Sequence, residues 1–259
     1  MSLFHYTDIT AVQSILTNRE FWFTHIDFMN DKEELKTGLA EIINWLEINE
    51  LVGYDGVLKN RAFDFINEQF QFSAKNPDFG YALFSCSFSC SGNSLSQWRA
   101  YGKFAIELDR SALGDEFELY DCVYTRREKF SAANLLGNQV VDGIAKDFTA
   151  DGAVGVNGLA EYGRLLIEAA KFKNAHFEEE QEVRAVLPEY LDSNDVSFRA
   201  KSDYLVPYVK KKFDIKAVKA IHVGPTPNQD MSEKSLKALL ASLDLISIPI
   251  VLSDIPFRS

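Results

Sequence analysis

"YALFSCSFSCSGNSLSQWRAYGKFAIELD", residues 81–109, sets two aromatic-rich runs, YALFSCSFS and KFAIELD, on either side of a polar segment of Ser, Gly and Asn. Both runs read as strands flanking a connection, because aromatic and alternating side chains suit a half-buried pleated surface. Alternation puts Cys86 and Cys90 on one face of the first strand. With Cys122 the cysteines are odd in number, and no His or fourth Cys stands at metal-ligand spacing. A reduced, packed role is therefore expected, with no metal.

Working upstream, residues 2–6 read as a short strand leading into a helix whose apolar positions Ile9, Val12, Ile15 and Leu16 recur at helical spacing behind Thr7 or Asp8 as N-cap. EFWFTH (20–25) reads as a strand, and MNDKEE then caps, through Asn30 or Asp31, a long helix running to about Glu50. A second helix is expected over Gly56 to Ser73. Working downstream, FELYDCVYT continues the sheet, and residues 127–174 suggest two helices around the Gly152–Gly155 break. EVRAVLP, VSFRA, VKAIHVGP and LISIPIVL are late strands, with SEKSLKALLASL a helix between the last two. The expectation is one α+β domain over residues 1–259, with residues 127–174 as a helical insertion or lobe.

Composition agrees. The chain has 259 residues, 46% hydrophobic and 13% aromatic, which suffices for one large core or two modest ones and excludes a disordered or fibrous protein. No stretch approaches the roughly 20 apolar residues of a membrane span, and the first residues lack a secretory signal, so a cytoplasmic protein without a membrane partner is expected. A net charge of -11 opposes nonspecific capture of a polyanion; a nucleic-acid partner would need a local basic patch.

Three constellations carry candidate chemistry. In FEEEQEVRAV (177–186), strand geometry would put Glu180, Glu182 and Arg184 on one face. Acids are depleted in strands, so the row is either a solvated edge with Arg184 neutralising its neighbours, or a cleft carboxylate stabilising positive charge on a sugar ring during glycosidic cleavage. The SLSQWRAYG segment gathers Ser96, Gln97, Trp98, Arg99 and Tyr101. It is either a recognition loop or a helical turn with Trp98 in the core and Arg99 solvated. His5-Tyr6-Thr7 is a capped strand end or a ligand wall. His25, His176 and His222 are scattered and read as satisfied or surface histidines. Common nucleotide, hydrolase and zinc motifs are absent from the sequence.

The ordered set FHYTD…AVQSIL, FWFTHIDFMNDKEE, FSCSFS…SLSQWRAYGKFAIELD, FEEEQEVRAV and AIHVGP resembles a bacterial family, domain of unknown function 2971, over nearly the whole chain. The block order is in turn similar to that of the ADP-ribosyltransferase superfamily, which implies mainly antiparallel sheets around a cleft that binds NAD as substrate. On that resemblance His5 bonds a ribose hydroxyl, Thr7 shapes the pocket, and the Tyr6 backbone faces the nicotinamide amide. Glu182 is the implied catalytic carboxylate, with Glu180 two residues before it in an E-x-E arrangement. Ser96, Gln97, Arg99, Arg184, Asn30 and Asp31 complete the implied cofactor wall, with Trp98 and Tyr101 as candidates for stacking on nicotinamide. The implied activity is transfer of ADP-ribose to a protein or nucleic acid, as a toxin or phage-defence effector with a neutralising antitoxin. An NAD glycohydrolase and a non-catalytic nucleotide-binding or sensing module are the alternatives.

Overall fold

The serine–apolar alternation of residues 81–89 becomes the central strand of the molecule. A computed structural model describes residues 1–29, 37–42, 44, 56–75, 81–151 and 154–256. In chain order the elements are β1 (Ser2–Thr7), α1 (Ile9–Asn18), β2 (Glu20–His25), α2 (Gly56–Lys75), β3 (Tyr81–Ser89), α3 (Leu95–Ala100), β4 (Phe104–Asp109), α4 (Arg110–Gly114), β5 (Leu119–Asp121), α5 (Arg126–Asp151) and α6 (Val156–Ala169). A 3-10 turn (Ala175–Glu180) precedes β6 (Glu182–Tyr190), β7 (Val196–Lys201), β8 (Tyr204–Lys212), β9 (Val218–Val223), α7 (Gln229–Ser242) and β10 (Ile250–Leu252). The fold is mixed α and β, with a sheet that is antiparallel except where β10 joins β9.

Three strands pair with β3, which has only two edges. One edge is taken along its whole length by β6, from Tyr81 opposite Tyr190 to Ser89 opposite Glu182. The other is shared: Ser89 faces Phe4 of β1, while Ser85 and Phe84 face Thr24 and His25 of β2. The sheet therefore forks from β3 into an arm β1–β4–β9–β10 and an arm β2–β8–β7, with β5 outside β6.

Apolar side chains fill both sides of this framework. Leu3, Phe21, Phe84, Phe88, Ile106 and Leu108 form one core with Val12 and Leu16 of α1 and Leu236 and Leu240 of α7. Residues 37–42, α2, α5 and α6 bury a second set against Leu83 of β3 and Val186 of β6. The helices expected within residues 127–174 are α5 and α6, and they are packed onto the sheet. A capping box starts α5: Glu128 accepts from Thr125 N at 3.0 Å while Thr125 Oγ1 accepts from Glu128 N at 3.2 Å.

Four expectations change and one open alternative is resolved. Residues 204–212, not anticipated as a strand, form β8; Pro207 lies where β2 pairing has ended at Thr24–Tyr208, so it is flanked by a strand, β7, on one side only, as suits a proline. FELYDCVYT yields only Leu119–Asp121, and LISIPIVL only Ile250–Leu252. SLSQWRAYG holds a helix, α3, with Trp98 buried and Arg99 exposed, which is the second of its two readings. Glu180 ends the 3-10 turn and does not belong to the strand of Glu182 and Arg184. Asn30 and Asp31 lie outside the described residues. No helix among the described residues is long and apolar enough to cross a membrane.

Candidate functional site

Where β1 and β2 part, Cys86, Ser87 and Phe88 of β3 have no strand partner on their open edge. The side chain of His5 takes that place. Its Nδ1 lies 3.0 Å from the carbonyl oxygen of Ser87, and its ring packs edge-on against Phe21 and at a tilt to Phe88. A carbonyl only accepts, so Nδ1 carries the hydrogen. Burial lowers the pKa of His5 against the opposing effect of that carbonyl, which favours a neutral ring with Nε2 as an acceptor.

The gap opens into a cleft of about 540 Å³, a size suited to a small organic ligand. Helix α1 bridges the two arms over it, with Asp8 as N-cap accepting from Ala11 N at 2.8 Å. Gly102 supports the end of β1: its φ is +138°, and a Cβ there would lie 2.2 Å from the carbonyl oxygen of Thr7.

Three serines of β3 lie on one strand face, since Ser85, Ser87 and Ser89 alternate with the core residues Cys86 and Phe88. Ser89 Oγ donates to the Glu180 carbonyl at 2.6 Å and accepts from Ser91 N at 3.0 Å. The hydroxyls of Ser85 and Ser87 are buried and have no hydrogen-bond partner among the described residues. Both residues line the cleft, so a ligand with donors and acceptors would complete them.

The β3–β6 register brings an ion cluster to the same face, because Glu182 pairs with Ser89 and Arg184 with Ser87. Glu182 Oε1 accepts from Arg184 Nε at 2.8 Å; Oε2 accepts from Arg184 Nη2 at 3.0 Å and from Lys173 Nζ at 2.6 Å. Lys173 also donates to Glu180, and Arg184 Nη1 to the Ala170 carbonyl just past α6 at 2.6 Å. Backbone bonds between Val123 and residues 171 and 173 hold Lys173 in place. Gln181, at φ +43°, turns the chain so that both glutamates reach one ammonium.

Two carboxylates and two cations balance in formal charge. Burial would raise the pKa of Glu182, but Arg184 and Lys173 outweigh it through charge and hydrogen bonds and hold it at about 2. The same carboxylates keep Lys173 protonated above its usual range despite burial. Tyr124 OH accepts from Glu182 N at 2.7 Å, fixing the start of β6. Arg184 thus neutralises its neighbours as the edge reading expects, but it does so in a buried cluster.

Of the residues singled out from sequence, His5, Tyr6, Thr7, Gln97, Tyr101, Glu180, Glu182 and Arg184 line this one cleft. Three others do not. Trp98 is 1% exposed, packed on Tyr6, with its Nε1 donating to Asn93 Oδ1, so its ring is unavailable for stacking on a ligand. Ser96 bonds Ser94 at the surface, and Arg99 is solvated. Tyr6 is tied through its hydroxyl to the Ser91 carbonyl at 2.6 Å. Sequence reasoning missed Ser85, Ser87, Lys173, Trp22, Arg199 and Lys201. The serines were visible in the FSCSFS alternation, whereas nothing local marks Lys173 or the β2 and β7 residues.

Comparison with protein-family models, curated protein sequences and solved structures gave no match. No cluster of three or more metal-ligating side chains is present among the described residues.

Proposed function

We propose that the cleft binds NAD and that the protein cleaves its nicotinamide–ribose bond in the manner of an ADP-ribosyltransferase. The observation that carries this reading is the convergence of His5 and Glu182, distant in sequence, on one cleft that also holds two partnerless buried hydroxyls. In this reading His5 Nε2 accepts a ribose hydroxyl, the Ser85 and Ser87 hydroxyls meet the nicotinamide amide, and Tyr101 offers an aromatic face at the rim. The C1′–N1 bond breaks with its electron pair passing to the ring nitrogen, so nicotinamide leaves neutral and the ribose becomes cationic. Glu182 stabilises that charge. With a pKa of about 2 it is a poor base at neutral pH, which makes its role electrostatic. A macromolecular nucleophile then takes C1′ and loses its proton; water in its place gives the glycohydrolase.

A second reading, binding without cleavage, is favoured by the three hydrogen bonds from Arg184 and Lys173, which leave about one acceptor position free on Glu182. Chromatographic detection of nicotinamide after incubation with NAD separates the two. Release that falls about a hundredfold or more in Glu182→Gln, and about fivefold or more in His5→Gln, supports cleavage. Saturable binding with no release, even when cell lysate is added as a source of acceptor, selects the second reading, and no binding at millimolar NAD ends both.

A further inference from the structure

The sheet face built by β2, β8 and β7, whose Trp22, Thr24, Arg199 and Lys201 reach the cleft, carries an aromatic pair ringed by cations on a molecule of net charge -11. Register creates it. Trp22 stands opposite Lys210 and Thr24 opposite Tyr208 across β2–β8, while Ser197 stands opposite Tyr208 across β7–β8. Alternation then puts Arg199 and Lys201 on the same face.

The Trp22 and Tyr208 rings stack with centroids 4.4 Å apart and planes 24° from parallel. The Arg199 guanidinium and the Lys210 ammonium each lie 5.9 Å from the Trp22 ring centre. Arg199 Nη2 donates to Thr24 Oγ1 at 3.1 Å, which orients it over the indole. Glu20, which shares the face, does not cancel these charges, since it is matched to Lys212 at 3.2 Å and accepts from Trp22 Nε1 at 3.4 Å. Arg199, Lys201 and Lys210 are exposed, and no carboxylate among the described residues pairs with them.

We propose that this face binds single-stranded nucleic acid, with an unpaired base displacing the Arg199 guanidinium from the Trp22 ring and stacking there while phosphates meet Arg199, Lys201 and Lys210. Cations alone would serve any polyanion. The stacked indole between them selects an unpaired base, because in a duplex the base faces are covered. Arg199, Lys201 and Trp22 line the same cleft as Glu182, so a bound strand enters it and would be the ADP-ribose acceptor. That last step rests on the proposed cleavage of NAD; the binding does not.

The test is fluorescence anisotropy of labelled single-stranded DNA and RNA of about 12 nucleotides, and of the matching duplex, on the full chain without NAD. Three phosphate contacts predict a slope of about -2 for log affinity against log salt, or roughly a twentyfold loss between about 50 and about 200 mM. Arg199→Glu with Lys201→Glu should weaken single-strand binding more than about tenfold and flatten the slope, whereas Trp22→Leu should weaken it about fivefold or more with the slope kept. No anisotropy change at low salt, or duplex bound as tightly as single strand, overturns the proposal. Displacement of the strand by polyglutamate at equal charge concentration also overturns it and points to an acidic protein. NAD binding to the cleft, measured by titration calorimetry without nucleic acid, reports separately on the proposed function, so the two readings fail independently.

Discussion

In the proposed site, Ser85 and Ser87 would separate ligand recognition from folding at the level of single atoms. Their hydroxyls are buried without partners among the described residues, so each carries a desolvation cost that those residues do not offset. Ser85→Ala with Ser87→Ala should leave Tm unchanged or raise it, while titration calorimetry shows NAD affinity reduced about tenfold; a large fall in Tm would show that these groups serve the fold instead. Glu182 behaves in the opposite way. Glu182→Ala leaves Lys173 and Arg184 buried with Glu180 as their remaining carboxylate, so a loss of about 3–5 kcal/mol is expected in denaturant unfolding. An inactive alanine variant is thus no evidence for catalysis until Glu182→Gln is compared at matched stability.

At the level of elements, the end of β1 depends on a residue without a side chain. Gly102→Ala adds a methyl 2.2 Å from the Thr7 carbonyl at a φ of +138°, and should cost about 2 kcal/mol or more while displacing the His5–Thr7 strand end. Gly56→Ala, which meets nothing within 4 Å, should be neutral or stabilising by about 0.5 kcal/mol in the same thermal measurement. Strands with aromatic or alternating patterns, among them β1, β2, β3, β4 and β6, were legible from sequence because each buries a face. Residues 204–212 were not, since Pro207 and Lys210-Lys211-Lys212 argue locally against a strand that its neighbours impose. The site follows the same rule. His5 and Glu182 stand out where they are, while Lys173 acquires its role only when residues 171–173 bond to Val123.

For the molecule as a whole, the ion cluster gives stability an acid limit. The folded pKa of Glu182, about 2, lies below its ordinary 4.5, so its contribution is complete above about pH 4.5 and is lost as pH falls toward 2. The amount at stake is on the order of 3 kcal/mol. Tm of the native protein should fall through that window more steeply than that of Glu182→Gln, and parallel curves would assign the acid response to other carboxylates. The raised pKa of Lys173 acts at the other end: its contribution is present below its ordinary range and is lost only above its raised value, so alkaline conditions should leave the cluster intact.

The fork at β3 also has a consequence for synthesis. The β1–β4 pair of the first arm can form once β4 has emerged, because β1 needs only residues 104–109 there. Strand β2, made almost as early, must wait for its β8 partner at residues 204–212. About a hundred residues separate the two events, on the order of 5–20 s of translation. Throughout that interval the nascent chain has one wall of the cleft without the other, so a ribosome carrying it displays no complete cleft until residues 204–212 have emerged.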